Sequence, residues 1–181
     1  MPRIPIIDRS AMNAEQARVY DKAKAAGSPL GGPYFAYIYL PQLFDGAQGL
    51  RNSLAAGPLS PREIQIVNLV VARHYSARYP WFAQVRGAIA VGLPLSVISA
   101  INAQQAPSLP DVREATCYAT ARELLTSKGL TDQTYAAAQE TLGLEGLVAL
   151  TAATGSFSMT CLTANTFDIP PPADDPVPLA T

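Results

Sequence analysis

Charge is what this chain of 181 residues has least of: Asp, Glu, Lys and Arg together make up 15% of it. The 13 basic and 14 acidic residues leave a formal net charge of −1, and no run of Lys or Arg occurs. A nucleic-acid partner or an anionic membrane surface needs a basic footprint, so neither is expected. Histidine occurs once, at His74, and cysteine twice, at Cys117 and Cys161, with no CxxC spacing. That pattern indicates neither a thioredoxin-like redox pair nor a Cys/His metal cluster, and no metal site is expected. The two thiols read as buried core residues, with a disulfide or a reactive thiol as the alternatives. No uninterrupted apolar run approaches the roughly 20 residues of a bilayer span. The opening MPRIPIIDRS is too short and too polar for a secretory signal. These absences imply a soluble, cytoplasmic protein. No repeat of fixed period is visible.

Hydrophobic residues are plentiful at 49%, enough for one domain with a sizeable core. So little charge on so apolar a chain suggests that neighbouring subunits cover part of it, and a homo-oligomer is expected. The pattern is helix after helix, with no convincing pair of strands. Asn13 and Gln16 make a capping box for a first helix, closed by Gly27. Gly31-Gly32-Pro33 then precedes a cluster of aromatics, Tyr34, Phe35, Tyr37 and Tyr39. It reads as an aromatic loop or a single helical turn, either packed as core or lining a ligand cavity. Pro41 starts a helix that ends at Gly57-Pro58.

Residues 60–92 organise the rest. Ser60-Pro61-Arg62-Glu63 combines an N-cap, a proline in the first helical position and a capping-box acid. The run that follows, from Ile64 to Ala72, leaves almost no polar face, so this helix must be enclosed by others. A partner helix covers residues 79–91 and stops at Gly92. A short helix follows Pro94, a longer one covers 111–128, and two more cover 132–142 and 144–166, separated by Gly143. The last is rich in small residues. The segment 1–167 is thus a helical domain, and 168–181 is a proline-rich tail, extended as an arm on a neighbour or disordered.

Several residues have chemistry to offer. Glu63 is a helix cap or, if buried, a carboxylate that can shuttle a proton. His74 is the only imidazole, the side-chain type suited to proton transfer near neutrality. It lies on the same helical stripe as Glu63 but about 16 Å away by helix rise. Trp81 and Gln84 are neighbours at i, i+3. Gln84 sits among apolar residues and must find partners if buried. Arg73, Arg78 and Arg86 cluster round this segment, where one could clamp a carboxylate.

From Leu59 to Phe167 the chain resembles the carboxymuconolactone decarboxylase family, part of the wider alkylhydroperoxidase-D-like group. The resemblance lies in Arg62-Glu63, Ala72-Arg73-His74, Tyr79-x-Trp81 and Gly92-Leu93. It continues in Glu123-Leu124-Leu125, Leu142-Gly143, Gly146-Leu147-Val148-x-Leu150 and Gly155-x-Phe157-x-Met159. It implies an all-α, single-domain helical bundle that assembles as a dimer, trimer or hexamer. Two departures matter. The peroxidase branch carries CxxC on the second helix, where this chain has Tyr79 and an Ala or Phe nearby, so a thiol peroxidase is not expected. The branch with Tyr-x-Trp continues to a histidine, where this chain has Gln84, an amide that cannot act as acid or base.

The resemblance implies a cofactor-free, decarboxylase-like lyase acting on a small organic acid or lactone. Glu63, His74 and Gln84 are the candidate catalytic residues. Tyr34, Phe35, Tyr79, Trp81, Arg78 and Arg86 are the candidate substrate-binding residues. The alternative is a small-molecule binder or structural oligomer that has lost the family chemistry.

Overall fold

A computed structural model describes residues 2–172 and 176–180. The tail assignment at 173–175 and 181, and Met1 of the helical domain, lie outside the described residues. Within them the chain is all helix: a 3-10 turn at Arg9–Ala11, then α1 (Ala14–Ala25), α2 (Tyr34–Tyr37), α3 (Pro41–Ala55) and α4 (Pro61–His74). There follow α5 (Arg78–Ala90), α6 (Leu95–Asn102), α7 (Val112–Ser127) and α8 (Asp132–Thr166). No strand occurs among the described residues.

Capping chemistry starts these helices. Asn13 and Gln16 form a reciprocal box on α1, and Ser60 and Glu63 do the same on α4. Asp111 accepts from the amides of Arg113 and Glu114 to open α7. Each arrangement satisfies donors that the first helical turn leaves unpaired. The long α8 bends at Gly143, whose φ of 73° and ψ of 172° are not helical. Glycine takes that conformation at little steric cost.

Helix α4 is the axis. Ile66, Val67, Leu69, Val71 and Ala72 are wholly buried, and α5, α6, α7 and α8 pack around it. Its first turn is locked to α7 by two ion pairs, Arg113 Nε to Glu63 Oε1 at 2.7 Å and Arg62 Nε to Glu114 Oε1 at 2.5 Å. A smaller apolar cluster, Val19, Ala23, Tyr37, Ile38 and Phe44, joins α1, α2 and α3 into a separate layer. The aromatic stretch after Gly31-Gly32 is the single turn α2.

Two features differ from the reading along the sequence. Helix α8 is long and apolar enough, by length and composition, to cross a bilayer. The sequence offered no unbroken run because Glu145 and a series of Thr and Ser residues interrupt it. Leu147, Leu150, Ala153 and Cys161 of α8 are buried in the bundle, while Leu144, Val148 and Leu162 of the same helix are exposed. The tail, expected on a neighbour or disordered, folds back on its own chain at residues 176–180. Trp81 Nε1 donates to the Val177 carbonyl at 2.7 Å, and Asn102 Nδ2 donates to the Pro178 carbonyl at 2.9 Å. Asn102 Oδ1 accepts from the Ala180 amide at 2.8 Å, while Val177 and Leu179 pack on the main core. Buried donors without partners are costly, so Trp81 and Asn102 hold this segment in place.

Candidate functional site

Between the α1–α3 layer and the α4–α8 bundle lies a cavity of about 450 Å³. Each surrounding helix gives it one face at helical spacing: Ile64, Gln65 and Asn68 from α4; Pro80, Ala83, Gln84 and Gly87 from α5; Ala153, Phe157 and Thr160 from α8. Leu50, Arg51 and Leu54 close it from α3, and Tyr34 and Tyr37 from α2. A volume of this size, with apolar and aromatic walls and few polar groups, is typical of a small-molecule site.

The aromatic wall is built by close packing. Tyr34 meets Tyr37 and Phe44 edge to face, each pair with ring centroids 5.4 Å apart. The ring of Tyr79 lies against Gly32, where an added Cβ would come within 2.1 Å of it. Gly32 also has a φ of 65°, so the turn and the ring both demand glycine there. Burial pushes the Tyr34 and Tyr79 hydroxyls above their ordinary pKa, and the positive charge of Arg51 opposes that shift at Tyr34.

Among the described residues the polar lining is neutral apart from Arg51. Asn68 Nδ2 donates to Gln84 Oε1 at 3.2 Å, joining α4 to α5 across the cavity wall. Gln65 Oε1 and the Tyr37 hydroxyl are buried with no hydrogen-bond partner among the described residues. Among the described residues no Asp, Glu, His or Cys lines the cavity.

Of the residues singled out from the sequence, Gln84, Tyr34 and Tyr79 meet at this cavity. The others lie elsewhere. Glu63 is buried at 3% exposure, but its carboxylate caps α4 and pairs with Arg113. His74 is exposed and lines a separate cleft of about 130 Å³ with Arg73, Tyr118 and Arg122. Trp81 is wholly buried and points its N–H at the tail. The i, i+3 step from Trp81 to Gln84 turns the helix far enough to separate them. Trp81, Val85 and Ala88 face the core, while Pro80, Ala83, Gln84 and Gly87 face the cavity. Phe35 packs near Gly31 and is not part of the cavity wall. Arg78 is exposed, and Arg86 lies over the Phe82 ring at 5.6 Å; neither lines the cavity.

The arginine that does line it is Arg51, which was not singled out. Gln65 and Asn68 were also passed over, while Tyr37 belongs to the aromatic cluster expected either in the core or along a cavity. A signal existed for two of them: Gln65 and Asn68 are the i, i+3 polar pair in a helix otherwise apolar on every side, and buried amides need partners.

These features define an all-α bundle with an amide-lined, thiol-free cavity. Among solved structures the chain is similar to the alkylhydroperoxidase AhpD core of an uncharacterized peroxidase-related protein from Ralstonia eutropha. The TM-score is 0.77 over 98% of this chain and 97% of that one, at 17% sequence identity. No known family profile and no curated protein matches the chain.

Proposed function

We propose that this protein binds a small organic acid or lactone in the α3–α4–α5–α8 cavity. One observation carries the reading: an aromatic-walled hollow of about 450 Å³ whose polar lining, among the described residues, is neutral amides and hydroxyls with a single cation, Arg51. Arg51 supplies the charge for a ligand carboxylate, a role the sequence suggested for Arg78 or Arg86. Gln84, with Oε1 held by Asn68, presents its N–H₂ group to a ligand carbonyl. Thiol-dependent peroxide reduction is not supported, because Cys117 and Cys161 are core residues and neither lines the cavity.

Decarboxylase-like, cofactor-free lyase chemistry on the same ligand is the second reading. The Gln84 amide favours it, since a fixed N–H donor can stabilise an enolate-like oxygen. Its weakness is that among the described residues no carboxylate or imidazole lines the cavity to move a proton, so the binding reading leads. As a partner we propose a second copy of this chain. Leu144, Val148 and Leu162 are exposed apolar residues on α8 that a partner copy in a dimer, trimer or hexamer would cover.

The test is calorimetric titration of aromatic carboxylic acids and lactones into wild type, Arg51→Ala and Gln84→Ala, with product analysis of each mixture. Binding weakened about tenfold by each substitution supports the site. Product that depends on Gln84 selects the lyase reading. Equal binding by all three proteins removes the assignment.

A further inference from the structure

Helices α4 and α7 run side by side in the same direction, and their two ends are built differently. At the first turns each arginine meets an acid: Arg62 pairs with Glu114, and Arg113 with Glu63. At the far ends, Arg73 and His74 of α4 and Arg122 of α7 line one cleft of about 130 Å³, and among the described residues no Asp or Glu joins them. The register follows from the ion pairs. Nine residues beyond Glu63 and Arg113 stand Ala72 and Arg122. Arg122 is therefore within about 3 Å of the level of His74 along the helix axis.

Helix-end carbonyls account for only part of this charge. Arg73 Nε donates to the Asn102 carbonyl at the end of α6 at 2.6 Å, and Nη1 to the Ser76 hydroxyl at 3.2 Å. Its Nη2 has no partner among the described residues. The Arg122 guanidinium forms no hydrogen bond or ion pair among them. The acid beside it, Glu123, turns to the start of α8, where its carboxylate accepts from the Thr131 amide at 2.6 Å and from the Thr134 hydroxyl. Gln104, in the turn after α6, brings a carboxamide to the same cleft. Val70, Ile101 and Leu125 complete its apolar walls. Like charges beside an apolar wall repel more strongly than in open water, and an anion among them reverses the sign.

We propose that this cleft, separate from the main cavity, binds a phosphate group. Its donors come from α4, α7 and the turn after α6, so they approach from different directions. That suits a tetrahedral oxyanion of higher charge better than a flat carboxylate. The cleft is small, at about 130 Å³ against about 450 Å³ for the main cavity, and His74, Gln104 and Arg122 are exposed. The phosphate group alone fills it, and the body of a phosphate monoester lies outside, so free phosphate and a monoester share one mode of recognition.

His74 is the only histidine, so its ring protons give an NMR signal that reports on this cleft alone. The experiment titrates inorganic phosphate, phenyl phosphate and acetate, at fixed pH and ionic strength, into wild type, Arg122→Gln and Arg122→Lys. With phosphate the wild-type signal is expected to move saturably, with half-saturation at about 1–10 mM. Arg122→Gln replaces an exposed side chain and should leave the melting temperature unchanged while weakening phosphate binding about fivefold or more. Arg122→Lys should restore part of the loss. Tighter binding of phenyl phosphate than of inorganic phosphate assigns the site to a monoester, and equal binding assigns it to the free anion. A response that is linear in phosphate, matched by acetate, or unchanged in Arg122→Gln overturns the proposal.

Discussion

The indole N–H of Trp81, in the second turn of α5, donates to the carbonyl of Val177, 96 residues further along the chain, at 2.7 Å. The largest side chain in the core is therefore completed by the segment at Val177. Asn102 at the end of α6 adds a two-sided clasp on the backbone of Pro178 and Ala180. Residues 177–180 are thus held against the bundle.

Trp81 is the only tryptophan, so its fluorescence reports on this contact directly. Deletion of residues 171–181 should shift the emission to longer wavelength as water reaches the indole. Trp81→Phe should cost about 1 kcal/mol through the lost hydrogen bond, with a further packing penalty, measured by urea denaturation. An emission maximum unchanged by the deletion would show that something other than the tail covers the ring.

Glu63 belongs to the scaffold. Its carboxylate accepts from the Ser60 amide at 2.7 Å and from Arg113 Nε at 2.7 Å, and both bonds tie α4 to its surroundings. Glu63→Gln leaves Arg113 without a counter-charge, and Arg113 is about a third exposed (37%), which moderates the cost. A loss of about 1–3 kcal/mol is expected, with ligand affinity at the cavity unchanged. Full stability combined with lost affinity would return Glu63 to the functional site.

Both thiols are free and wholly buried, so slow reaction in the folded state is expected. Burial pushes Cys117 up to about 12, and burial raises Cys161 as well. At pH 8 the reactive thiolate of Cys117 is then present at about one part in ten thousand. A chromogenic disulfide reagent should register almost no reaction with native protein and both thiols after denaturation. Rapid reaction of the folded protein, or peroxide consumption that stops on alkylation, would contradict this.

Glu123 gives the α7–α8 junction a pH dependence of predictable sign. A hydrogen bond from the Thr134 hydroxyl, followed by one from the Thr131 amide at 2.6 Å, holds its carboxyl below the ordinary glutamate pKa. A depressed folded pKa means the stabilisation is complete above the unfolded value of about 4.3 and disappears as pH falls through the folded one. Melting curves of wild type and Glu123→Gln should therefore converge as pH drops below about 4. A stability gap that stays constant from neutrality to pH 3 would show that the carboxylate charge plays no part.

The helices were legible because their signals are local. Ser60 with Glu63, Asn13 with Gln16, and Asp111 ahead of α7 each satisfy amides within one turn, so a few adjacent residues specify the start. The breaks at Gly27 and Gly143 are equally local. Gln84 could be marked as needing a partner because an amide among apolar neighbours is conspicuous. Which amide answers it could not be read, because Asn68 sits on another helix, 16 residues earlier. Arg51 was overlooked for the same reason: nothing near it in the chain hints that α3 closes the cavity over α4 and α5.

Sequence alone determined that this is an all-helical chain with one central apolar helix and no paired thiols, since periodicity, caps and cysteine spacing act over a turn or a few residues. Tertiary structure decided which residues share the hollow. Helix rotation and layer packing set which side chains converge, so Trp81 went to the core and the tail, Glu63 to an ion pair, and Gln65, Gln84 and Arg51 to the cavity. A turn of 100° per residue separates core from cavity on a single helix, and only the neighbouring helices determine which side is which.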